Sequence, residues 1–101
     1  MGYLHRLKVD SVEVRVSDRA REALQQPGDT LGMYLTRHCH GDWGEADDLT
    51  KKENEQALKG RTGEVISLFT TTAGARLCFV TEIQKERTSV LLAEEVLEHD
   101  P

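Results

Sequence analysis

With 101 residues and 38% hydrophobic content, the chain has the length of one domain that buries roughly two-thirds of its unfolded surface, which leaves no room for a second core. Eighteen acidic against thirteen basic residues give a net charge of −5 with no basic stripe to follow a phosphate backbone, so nucleic-acid binding is disfavoured. No stretch approaches the ~20 apolar residues of a membrane span, and two cysteines, Cys39 and Cys78, behind a short polar start point to free thiols in the cytoplasm.

The two ends, 1–8 and 98–101, read as loosely held. Leu7 and Val9 alternate with polar residues, and after Ser11 the alternation resumes with switched parity over Val12, Val14 and Val16. That switch predicts a bend at Asp10-Ser11 and a first strand over Val12 to Val16. Ser17 or Asp18 starts a short helix with Ala20, Ala23 and Leu24 inside, ended by Pro27-Gly28. Asp29 or Thr30 caps a second helix running toward His40, whose inner stripe at about 100° per residue is Leu31, Tyr34, Leu35 and His38. His40 falls on the far side.

Asp47 is the expected cap of a third helix, Asp48 to Lys59, closed by Gly60. Asn54 lies on its inner side with Ala57 and Leu58, where an unpaired amide would cost ~1–3 kcal/mol. From Glu64 the period becomes that of a strand: 65–71, a turn at Thr72-Ala73-Gly74, then 76–83, a polar turn, and a last strand over 88–92. A helical turn over Ala93 to Leu97 follows. The expected architecture is α+β: an N-terminal strand, three helices, then a three-stranded antiparallel meander with the helices packed on one face of the sheet.

The densest stretch is His38-Cys39-His40-Gly41-Asp42-Trp43-Gly44, which holds the only Trp and two of the four His. Its glycines bracket Asp42-Trp43 in a tight turn, with the indole as an apolar plug or as a surface for a partner. His38, continuing an apolar stripe, must find hydrogen-bond partners. Metal ligation by His38, Cys39, His40 and Asp42 lacks the second Cys/His pair that closes a tetrahedron, so neither metal nor cofactor is expected.

Arg37-His38, Gly41-Asp42-Trp43-Gly44, Asn54 with Ala57-Leu58 and Gly60, Ser67, Leu77, Thr81-Glu82, Thr88 and Leu91-Leu92 with Glu94-Glu95 together resemble a family of small bacterial proteins of plasmids, prophages and other mobile elements. The likeness runs from Val14 to Val96 and rests on an R-H-x-x-G-D-W-G turn, an N-x-x-A-L helix and a T-E strand end. Cys78, Gln84-Lys85, Ala93 and Val96 depart from the family pattern. The resemblance implies an accessory protein and carries no established activity.

Two readings of the shared polar residues stand side by side. In one, His38, Asp42, Asn54 and Glu82 form a catalytic group, with His38 as general base or acid in a hydrolytic or ribonuclease-like reaction. In the other they form a structural clasp: His38 and Asn54 satisfy the turn, and Glu82 pairs with His38 or Arg37. Trp43, Arg37 and Thr88 are then candidates for binding. The reading adopted is a macromolecular-binding module whose partner is another protein, including a second copy in a homodimer; an acidic DNA mimic is a third reading.

Overall fold

The computed structural model describes residues 8–98; apart from Lys8 and Glu98, the ends expected to be loosely held, and Leu7 with them, fall outside these residues. Strand β1 (Glu13–Val16) is followed by helices α1 (Asp18–Ala23), α2 (Leu31–Cys39) and α3 (Asp48–Gly60), strands β2 (Glu64–Thr70) and β3 (Arg76–Glu82), a 3₁₀ turn (Ile83–Lys85), strand β4 (Arg87–Leu92) and helix α4 (Ala93–Glu98).

The class is α+β, but the sheet has four strands in the order β1-β4-β3-β2 rather than a three-stranded meander beside a separate N-terminal strand. β2, β3 and β4 pair antiparallel, with Ile66 opposite Val80 and Phe79 opposite Val90. β1 lies parallel to β4, Val14 against Thr88 and Val16 against Val90. Four residues of alternating Val cannot bury their apolar side alone, and the open side of β4 supplies both backbone partners and a core. The terminal turn is a fourth helix.

Side-chain caps fix where the helices begin. Ser17 accepts from the Ala20 N–H, Thr30 from Met33 and Asp47 from Thr50, each satisfying one orphan donor of a first turn. The helix α3 runs through Gly60, and Arg61 closes it in the left-handed region at φ 55°. Gly60 is therefore not the stop.

Alternation along the strands turns Val65, Ser67, Phe69, Leu77, Phe79, Thr81, Thr88 and Val90 to one face, where all are buried. Against it α1 and α2 place Ala20, Tyr34, Leu31 and Leu35 around Phe69 and Phe79, whose rings meet edge to face at 5.6 Å. A second cluster joins Val9, Trp43, Ala46 and Val65 with Ala57 and Leu58 of α3. His38 sits between the two groups, its ring 5.9 Å from Trp43 and 5.8 Å from Phe79.

Candidate functional site

The periodicity of α2 brings His38 to full burial, and both its ring nitrogens are engaged: Nδ1 lies 2.6 Å from Ser67 Oγ and Nε2 lies 2.8 Å from Thr81 Oγ1. The chain of hydroxyls continues from Thr81 to Thr88 at 2.7 Å and from Thr88 to Ser11 at 2.6 Å. At the other end Ser67 Oγ donates to the Asp42 carbonyl at 3.2 Å.

That carbonyl sets the direction of the whole chain, because a carbonyl only accepts. Ser67 gives its proton to Asp42, so it accepts from His38 Nδ1–H, and in the neutral ring that burial favours Nε2 is left as the acceptor. Nε2 accepts from Thr81, Thr81 from Thr88, and Thr88 from Ser11. Every hydroxyl donates once and the ring is satisfied on both sides. Burial alone pushes the His38 pKa down to about 4, consistent with a ring held uncharged.

The other expected site residues are divided among three neighbourhoods. The Asp42 side chain turns outward to Arg37 Nε at 2.8 Å and accepts from the Gly44 N–H at 2.9 Å. Burial opposes its ionisation, but Arg37 and Gly44 outweigh burial and hold the carboxyl below its usual range. Arg37 also lies over the Phe69 ring, 4.5 Å from its centre. Glu82 faces the opposite side of the sheet from Thr81 and pairs with Lys85 at 3.3 Å and Arg87 at 3.8 Å. Neither carboxylate bonds to His38.

Asn54 serves a strand edge. Its Nδ2 donates to the Ile66 carbonyl at 2.8 Å, and the Ile66 N–H donates to its Oδ1 at 2.9 Å. Two residues along, the Gly41–Gly44 turn bonds to the same edge: Leu68 N–H donates to Trp43 O and Glu45 N–H to Leu68 O, an isolated parallel bridge. Gly44 has φ +63°, and a Cβ there would stand 2.2 Å from the Leu68 carbonyl. The turn needs glycine for both reasons. Trp43 is buried as the plug of the second cluster, with its indole N–H donating to Glu55 at 3.0 Å.

Comparison of the chain with known protein families, characterised proteins and solved structures finds no match. Chemistry therefore has to be judged from the geometry. Among the described residues no group of three or more His, Cys, Asp or Glu is placed to hold a metal ion, and no helix is long and apolar enough to cross a membrane. Burial pushes the thiols of Cys39 and Cys78 up, with Asp10 and Glu64 adding to the shift, so neither is an activated nucleophile.

The sequence expectation did not place Ser67, Thr81 or Ser11 in the His38 chain, and of the two caps it offered for α2, Asp29 or Thr30, Thr30 is the cap. Asp29 is buried and accepts from Tyr34 Oη at 2.6 Å and from the Thr72 N–H and hydroxyl at 3.2 Å, tying the entry of α2 to the β2–β3 turn. The Tyr34 hydrogen bond holds the Asp29 carboxyl below its usual range, and burial, with Asp29 beside it, pushes Tyr34 up to about 12. Strand parity was the available signal for the hydroxyls: Ser67 and Thr81 alternate in step with Phe69 and Phe79.

Proposed function

We propose that the protein is an accessory protein of mobile-element type that acts by binding another protein, first of all a second copy of itself, through the sheet face turned away from the helices α1 and α2. The observation that carries this reading is the make-up of that face. Leu68, Cys78 and Leu91 form one cross-strand row, and Ile66 and Val80 form the next beside Ser89 and Arg15. Ile66, Leu68, Val80 and Leu91 are half-exposed there around a buried Cys78, and the patch they make has a charged border, the usual anatomy of a protein interface.

The edges of the sheet are poorer candidates. Asn54 and the Gly44 bridge occupy the free side of β2, while β1 is four residues long and carries Glu13 and Arg15, the charges by which edge strands resist pairing. The border of the face is self-complementary. Arg76 stands at one end of the β2–β3 pair and Glu64 and Glu82 at the other, so a two-fold axis lying across the strands sets the arginine of each copy against the carboxylates of its mate. The closed His38 centre favours binding over catalysis, since a general base needs access to substrate.

Sedimentation of the wild type and of Val80→Glu tests it. A reversible dimer is expected, converted to a folded monomer by Val80→Glu, weakened by Arg76→Glu and restored by adding Glu64→Arg. A wild type that stays monomeric at every concentration, or a dimer indifferent to Val80→Glu, contradicts the reading.

A further inference from the structure

Among the described residues only two that are not glycine have positive φ, Arg61 at 55° and Glu86 at 51°, and both line one cleft of about 220 Å³. Each backbone has its own reason to be left-handed. Arg61 ends α3 with its N–H on the Ala57 carbonyl. Glu86 ends the 3₁₀ turn, and its carbonyl accepts from the Val12 and Glu13 N–H groups at 2.7 and 3.2 Å, anchoring the start of β1. Glycine would serve both positions with less strain. The backbone therefore explains the conformation and leaves the charged side chains unexplained, and non-glycine residues held in this region concentrate at ligand sites.

The rest of the cleft extends the pattern. Val9, Leu58 and Ile83 give it an apolar wall continuous with the second core cluster. The lining also contributes two exposed cations, Arg61 and Lys8, the latter with its side chain running over Gly41, and two exposed anions, Glu86 and Asp10. Among the described residues none of these four charges forms an ion pair, although the exposed charges nearby do: Glu13 with Arg15 and Arg87, and Glu82 with Lys85 and Arg87. The volume lies below the roughly 300–1,000 Å³ of sites for drug-sized molecules.

We propose that this cleft binds a small zwitterion of amino-acid size, with a carboxylate held by Arg61 and Lys8, an ammonium held by Glu86 and Asp10, and a short apolar body against Val9, Leu58 and Ile83. Unpaired charges of both signs around an apolar wall match such a ligand better than a simple anion or cation, either of which would leave two like charges facing it.

Titration of L-leucine against the full chain, followed by the methyl resonances of Val9, Leu58 and Ile83, is the test. Isocaproate, which lacks the ammonium, and isoamylamine, which lacks the carboxylate, serve as comparisons. Saturable shifts with L-leucine are expected, with each comparison compound and each of Arg61→Gly and Glu86→Gly weakening binding at least about tenfold, the scale of one charge-assisted hydrogen bond. Both glycine variants should melt no lower than wild type, since they relieve left-handed strain. The proposal is overturned by absence of saturable shifts, by equal binding of either comparison compound, by unchanged affinity in both variants, or by a lower melting temperature in both. The sheet-face dimer is read separately by sedimentation, so failure of one leaves the other standing.

Discussion

The amide of Asn54 faces the backbone of Ile66 as a neighbouring strand would, donating to its carbonyl at 2.8 Å and accepting from its N–H at 2.9 Å. One side chain from α3 thus completes the hydrogen bonding of a strand edge that would otherwise be open to another chain.

Asn54→Ala removes both bonds and leaves an N–H and a carbonyl without partners, at a cost of about 2–4 kcal/mol. Asn54→Asp keeps the acceptor and loses the donor, so it too is destabilising, while Gln cannot reach with the same geometry. Denaturant unfolding measures the loss, and the Ile66 amide, protected in the wild type, should exchange faster in Asn54→Ala.

The two glycines of the turn should behave differently. Gly44→Ala places a Cβ against the Leu68 carbonyl as well as straining φ, and is expected to cost about 3 kcal/mol or more. At Gly41 the neighbour is the flexible Lys8 side chain, so Gly41→Ala carries mainly the left-handed strain, ~1–2 kcal/mol. Thermal melts of the two variants give the order directly.

Stability should fall with acid before the carboxylates protonate. His38 has a folded pKa of about 4 against 6.5 in the unfolded chain. Above pH 6.5 both states are neutral and the full contribution is present. As pH falls toward 4 the unfolded state takes up a proton that the folded state refuses, so stability drops, by roughly 3 kcal/mol across the window. Asp29 and Asp42, held below their usual range, act in the same sense only at lower pH. Melting curves from pH 7 to 4.5 should slope downward in the wild type and be flatter in His38→Gln.

Glu82→Gln should change stability by less than about 1 kcal/mol, because its partners Lys85 and Arg87 form surface ion pairs. It should leave the His38 resonances in place. Thr81→Val, one residue away on the opposite face, removes the donor to Nε2 and should disturb both.

Much of this was legible in the chain. The stripe Leu31, Tyr34, Leu35, His38 put the histidine inside, the caps were legible as Ser17 or Asp18, Asp29 or Thr30, and Asp47, of which Ser17, Thr30 and Asp47 serve, and Asn54 on an inner face demanded a partner. The identity of the partners was not legible. Glu82 and Thr81 are adjacent in sequence but lie on opposite faces of β3; alternation with Phe79 turns Thr81 inward, and only the pairing of the strands brings it to His38. The partner of Asn54 is backbone, which carries no sequence signature. The parallel pairing of β1 with β4 joins segments more than seventy residues apart, and nothing local in Val12 to Val16 sets that direction.

The measurement that bears most directly on the His38 centre is the nitrogen-15 NMR spectrum of its imidazole as a function of pH. The directed chain from Ser11 to the Asp42 carbonyl requires a neutral ring protonated on Nδ1 that resists protonation until about pH 4. Thr81→Val and Ser67→Ala should shift its resonances, and Glu82→Gln should not. A ring that titrates near 6.5, carries its proton on Nε2, or responds to Glu82→Gln instead of Thr81→Val would contradict the closed hydroxyl chain and return His38 to the catalytic reading.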